Sequence, residues 1–233
     1  MPSAPVPARL DDLPLIPPWA RPLVARIAVA FLLAVPLLAG WMRLAGPLPG
    51  ERRLARWKVD PVTSEPWRNA TDLLSALGTP IPAIALLLVV GWVVHRRLGP
   101  RAATFLTLAT AVTLTTDGLK QIFGPTPIAR EAFGGVAAYP SGHVVWATAF
   151  FGALALLGAR RRIPDLLLPS LLVLVAMGPS RILVGAHALG DVLGGYLLGA
   201  GWVLAAALLV DRAAARRSIR SISAAEGVTR PLQ

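Results

Sequence analysis

Two histidines and one aspartate have the spacing best suited to chemistry in this chain. His187 and Asp191 are four residues apart. On a helix, that spacing places a carboxylate on the same face as an imidazole. The carboxylate can keep one ring nitrogen protonated and leave the other free as a base or a nucleophile. Shortly before them stand Ser180 and Arg181, and an arginine's planar fork suits the oxygens of a phosphate. The other histidine, His143, closes the string Pro140-Ser141-Gly142-His143. Each string sits where a long apolar run begins or ends, which points to phosphoryl chemistry at a membrane surface.

The Ser141-Gly142 pair opens an apolar run and predicts a helix N-terminus there. Its free N–H groups and positive end would meet an anion, and Gly142 would let the backbone approach closely. Lys120, at the end of an earlier apolar run, supplies a third piece. Two histidines and a carboxylate are a conceivable iron or zinc set. However, Lys120 and Arg181 would repel a divalent ion and can fill its role, so neither a metal nor a cofactor is expected. Asp117, one turn before Lys120, is expected to pair with it. His95 lies beside Arg96 on the opposite membrane face and is expected to be a solvated end residue.

The elements that must position these residues are membrane spans. The chain is 55% hydrophobic and only 15% charged, with a mean hydropathy of +0.62. A soluble domain would be about a quarter charged. The apolar residues are bunched into runs expected at 23–44, 80–94, 102–119, 144–157, 166–177 and 189–210, with a kink at Pro36. The fold class is therefore all-α: a polytopic membrane protein with six transmembrane helices in a bundle. The segment 46–79 is expected to form short interfacial helices between the first two spans. The Pro-rich residues 1–22 read as a disordered cytoplasmic tail, 23–212 as the membrane domain and 213–233 as a basic cytoplasmic tail. No small-residue cleavage site follows the first span, so it reads as an uncleaved anchor. Cysteine is absent, which excludes disulfides and thiolate metal sites.

The net charge of +11 would suggest a nucleic-acid partner in a soluble protein. Here the arginines lie between apolar runs and serve orientation instead, so no nucleic acid is expected. Arg96, Arg97 and Arg160 to Arg162 fall in short connectors on the same side as both termini. By the positive-inside rule that side is cytoplasmic, and both histidine strings face outward. Within the last span, Gly190, Gly194, Gly195 and Gly199 have the spacing that permits close helix contact in lipid.

At this point the chain resembles the type 2 phosphatidic acid phosphatase (PAP2) family of membrane lipid phosphatases. The family pattern has three parts: Lys-x6-Arg-Pro, Pro-Ser-Gly-His and Ser-Arg-x5-His-x3-Asp. The second is intact at Pro140 to His143, and the third at Ser180 to Asp191. The first departs, because Pro127 stands where the pattern has Arg. Arg130, three residues later, either reaches the phosphate through a bend at Pro125 and Pro127 or is a loop charge.

The resemblance implies that His187 is the nucleophile, forming a phosphohistidine, with Asp191 orienting it. It makes His143 the proton donor to the leaving group and then the base for water. Lys120 and Arg181 would clamp the nonbridging oxygens, with Ser141 donating a hydroxyl hydrogen bond. Ser180 serves phosphate contact, capping or packing. The implied substrate is a lipid phosphate or diphosphate reached from the bilayer. A lipid phosphotransferase with the same intermediate, and a noncatalytic lipid-binding or transport homologue, are the rival readings.

Overall fold

The computed structural model describes residues 13–56, 65–135 and 137–228. Among these residues the regular elements are all helical. A 3-10 turn at Pro18–Ala20 leads into α1 (Arg21–Leu44). Two short helices follow, α2 (Glu51–Ala55) and α3 (Glu65–Leu77), and then α4 (Pro80–Leu98). The chain continues through α5 (Pro100–Thr110), a 3-10 segment (Ala111–Thr115), α6 (Thr116–Phe123) and α7 (Pro127–Phe133). It ends with α8 (Gly142–Arg161), α9 (Pro164–Leu183) and α10 (Leu189–Val228).

Local chemistry explains the main boundaries. Pro80 opens α4 and Pro100 opens α5, positions where the missing N–H costs nothing. Between them Gly99, at φ 92°, makes the turn that a side chain would resist. The end of α8 is a Schellman motif built on an arginine. Arg162 takes the left-handed conformation, with Ile163 N–H donating to the Gly158 carbonyl at 2.8 Å. α1 runs as one helix from Arg21 to Leu44 with Pro36 inside it.

Among the described residues five helices are long and apolar enough to cross a membrane: Pro18–Leu44, Pro80–Leu98, Gly142–Arg161, Pro164–Leu183 and Leu189–Arg217. The remaining expected span, at 102–119, is not one continuous α-helix but α5, the 3-10 segment and α6 in succession. The six-span reading therefore becomes five long helices and one interrupted rod. Threonines mark the interruption, with the hydroxyls of Thr110, Thr113, Thr115 and Thr116 each donating to a carbonyl three or four residues back. Such side-chain bonds to the backbone compete with regular α-helical pairing.

α8 is the central helix. Its residues from Val144 to Phe150 are all buried, on every face, as expected of a helix that is apolar all round. α9 and α10 pack along it, and α1 packs along α10. The glycines of α10 make these contacts possible. A Cβ at Gly195 would meet Val144 and the Ser141 carbonyl, one at Gly199 would meet Thr148, and one at Gly201 would meet Leu32 and Phe31 of α1. By contrast, Leu37, Ile81, Leu88, Trp92 and Leu172 stand exposed on the outer faces of α1, α4 and α9. These apolar faces suit lipid, and the chain is a multi-pass membrane protein.

Folded structure is present before the boundary expected at residue 23, and α10 continues beyond the one at 212. Leu15 and Ile16 are buried, and their backbone N–H groups donate to the two carboxylate oxygens of Asp211 at 3.0 and 2.9 Å. Arg101 reaches the same carboxylate at 2.6 Å and Arg21 at 3.6 Å. The Asp211 side chain is fully buried, so removing it takes the acceptor from the buried Leu15 and Ile16 N–H groups and breaks the ion pair with Arg101. Asp211→Ala is expected to cost about 3–5 kcal/mol, the usual penalty for breaking a buried ion pair. The check is thermal unfolding in detergent. All of these groups lie at the end of the bundle opposite His143 and His187.

Candidate active site

The N-termini of α8 and α10 meet, and the site forms where they do. Ser141, the residue before α8, donates its backbone N–H to the Asp191 carbonyl in the first turn of α10 at 3.0 Å. Two positive helix ends thereby converge on one place, which favours an anion. The Ser141 hydroxyl is fully buried there and has no hydrogen-bond partner among the described residues.

His187 is not on a helix, contrary to expectation. It lies in the turn just ahead of α10. The pairing with Asp191 survives because Asp191 folds back over the helix start. One of its oxygens accepts the Ala188 N–H at 3.2 Å and also faces His187 Nδ1 at 3.4 Å. This is the return arm of a capping box, with a catalytic-type ring added to it. The other carboxylate oxygen is buried without a partner among the described residues. Nearby, burial and then the Asp191 charge hold the Tyr139 hydroxyl above the usual phenol range. That hydroxyl donates to the Val35 carbonyl of α1 at 2.7 Å.

His143 stands in the first turn of α8, within electrostatic reach of Arg181, His187 and Lys120. Lys120 lies over the start of the same helix. A Cβ on Gly142 would sit 3.4 Å from Lys120 Nζ, so the missing side chain leaves open the space between the ammonium and the helix end. Lys120 also pairs with Asp117 at 3.0 Å, as its position one turn away suggested. Arg181, at the end of α9, is only 4% exposed. Its Nε donates to the Ser180 hydroxyl oxygen at 3.2 Å, while that hydroxyl donates to the Met177 carbonyl at 2.7 Å. Ser180 thus orients the guanidinium.

The structure therefore gathers His187, Asp191, His143, Ser141, Gly142, Lys120, Arg181 and Ser180 at one end of the bundle. It does not draw Arg130 into that group. Arg130 is exposed on α7, whose buried face carries Ile128 and Ala129 instead. Among the described residues, no hydrogen bond or ion pair ties its side chain to the cluster. Of the two readings of Arg130, the surface charge is the one its placement supports.

Four contributions escaped the sequence reading, and all come from the segment before α4. Arg181 Nη2 donates to the Thr71 carbonyl of α3 at 3.0 Å, and Asp72 acts on the same guanidinium. The Ser75 backbone stands by the His143 ring, which packs directly on Gly78, where α3 turns into α4. A backbone carbonyl leaves no signature in a sequence, and Gly78 reads only as a turn. Gly78→Ala would drive its methyl group into the His143 ring. We expect activity to fall about 10- to 100-fold, the scale of a misplacement near 1 Å. Turnover measured beside an unchanged unfolding temperature checks this.

A family model for the PAP2 superfamily matches residues 83–215. The chain belongs to the PAP2 superfamily. The match runs from α4 into α10 and includes every site residue named above except those of α3 and the turn after it. The PAP2 fold extends further by shape. The crystal structure of the first transmembrane PAP2-type phosphatidylglycerolphosphate phosphatase from Bacillus subtilis matches with a TM-score of 0.60. That alignment covers 77% of this chain and 93% of the other, at 18% identity. No curated protein sequence matches the chain.

Proposed function

We propose that this PAP2 protein hydrolyses the phosphate ester of a membrane lipid, a monophosphate or diphosphate, without a metal and through a phosphohistidine on His187. The observation carrying the proposal is the joint between the two helix starts, Ser141 N–H on the Asp191 carbonyl. It joins the helix starts beside which His143 and His187 stand, and Lys120 and the buried Arg181 nearby support an anion there.

The steps follow from the atoms. Nδ1 of His187 faces Asp191, so a proton held there leaves Nε2 with its lone pair free. Nε2 attacks phosphorus, and the bond from phosphorus to the lipid oxygen breaks. His143, protonated, gives its proton to that oxygen. The imidazolium-like phosphohistidine is stabilised by Asp191, whose second oxygen has no other partner among the described residues. Water then attacks phosphorus as His143 takes its proton, the bond from phosphorus to Nε2 breaks with its electron pair returning to the ring, and inorganic phosphate leaves. Throughout, Lys120, Arg181, the Ser141 hydroxyl and the start of α8 stabilise the charge on the nonbridging oxygens.

A lipid substrate is supported by the exposed apolar faces of α1, α4 and α9, which set the site in a body that suits a bilayer. The placement of basic connectors at the far end of the bundle supports a site on the outer face of the cytoplasmic membrane, with both termini inside. Arg130 has no part in this scheme. In the test, purified protein in detergent with EDTA is given phosphatidic, lysophosphatidic and polyprenyl phosphates. Release of inorganic phosphate is expected for at least one. A phosphorylated acceptor without free phosphate would instead indicate a transferase, and lipid movement without either product a noncatalytic protein.

A further inference from the structure

We infer that Glu51 of α2, outside the family match and outside every motif of the site, is a positioning residue for His187. Glu51 is 1% exposed, although it carries a charge and belongs to a helix of five residues. Both of its oxygens are used. Oε1 accepts the Gly190 N–H at 2.7 Å and Oε2 accepts the Leu48 N–H at 2.8 Å. Gly190 belongs to the first turn of α10, whose leading N–H groups have no partner within the helix. Asp191 satisfies one of them, on Ala188, and Glu51 satisfies the next but one, on Gly190. Two carboxylates from distant parts of the chain thus share one helix start.

The contact is close as well as polar. A side chain at Gly190 would run into the Met42 sulfur and would come within 3.2 Å of Glu51 Oε1. One turn further along α2, Ala55 packs in a small apolar cluster with Ile128 and Ala188. α2 therefore grips Ala188 through Ala55 and Gly190 through Glu51. His187 is the residue immediately before that gripped pair. On its other side the turn is held by α9, with the Ala186 and His187 N–H groups donating to the Arg181 carbonyl at 2.9 and 3.2 Å, so the imidazole stands between two anchors and the start of α10 is the one that sets it against Asp191. Glu51 itself lies in the first turn of α2, so one side chain joins the starts of two helices.

This role rests on the phosphohistidine reading, and two measurements on the full-length protein in detergent separate them. Glu51→Gln keeps the size but replaces one acceptor oxygen by a donor facing an N–H. Turnover is expected to fall tenfold or more with KM changed less than twofold, because the phosphate-binding groups sit on other elements. Glu51→Asp, shorter by one methylene, should fall between. The second readout needs no activity. The chain has 3 histidines, so ring-nitrogen chemical shifts are assignable. Those of His187 should move in Glu51→Gln, and those of His95, at the far end of α4, should not. Unmoved His187 shifts, or wild-type turnover in both variants, would overturn the inference. So would a lowered unfolding temperature with His95 shifts moving too, since that marks general loosening. A wild-type protein that releases no phosphate would defeat the catalytic reading alone, and the His187 shifts would still decide the role of Glu51.

Discussion

Replacing His187 by alanine is expected to abolish phosphate release, lowering turnover by about a thousandfold or more, as the loss of a covalent nucleophile does. The protein should still fold. The His187 side chain is 13% exposed and its pairing with Asp191, at 3.4 Å, is a long one. The structural bond at this turn, Ala188 N–H to Asp191, does not involve the ring. Rapid acid quenching of wild-type protein with labelled lipid phosphate should trap an acid-labile phosphoprotein, and the alanine variant should trap none. A variant with appreciable turnover would place the nucleophile elsewhere. Measuring both proteins with EDTA present tests the metal-free mechanism in the same experiment.

Arg181→Lys is expected to lower kcat/KM about 100- to 1000-fold, although it preserves the charge. Arg181 spends two N–H groups on Ser180 and Thr71. A guanidinium has five, in a fixed plane, so the others remain for two phosphate oxygens at once. An ammonium is a point charge on a flexible stem and cannot hold the protein bonds and the substrate bonds together. Most of the loss should fall on kcat, because the charge on the nonbridging oxygens must be met where it develops. Steady-state kinetics on the lysine variant check this. Wild-type efficiency would mean that the guanidinium serves α3 and not the substrate.

Much of the site was legible from residue types and spacing because its chemistry sits in side chains at element boundaries. Pro140 to His143 and Ser180 to Asp191 announced themselves, and Gly142 correctly marked the start of α8. The convergence of Lys120 with them followed from counting apolar runs. What failed was local geometry. The four-residue spacing of His187 and Asp191 suggested one helix face, yet the same spacing is met across an N-terminal cap. Arg130 was left open between two readings because a count along the chain does not say how a loop folds; it stands exposed on a short helix, α7. The contributions of α2 and α3 were out of reach for a different reason. Glu51 looks like any acid among surface arginines, and Thr71 and Ser75 act through backbone atoms that every residue has. The bundle was readable from hydropathy, but Leu15 and Ile16 in a Pro-rich stretch gave no hint that a buried carboxylate, Asp211, would hold them.

The interrupted rod that carries Lys120 has a geometric consequence. Each residue of a 3-10 helix turns by about 120° and rises about 2.0 Å, against about 100° and 1.5 Å in an α-helix. Across Ala111–Thr115 the difference accumulates to about 100° of extra rotation and about 2.5 Å of extra length. The azimuth of the ammonium is therefore not the one that the lipid-depth packing of Phe105 and Ala109 would dictate. A change of pitch works here as a gear between two surfaces of a single rod, letting one half satisfy its neighbours and the other aim a cation.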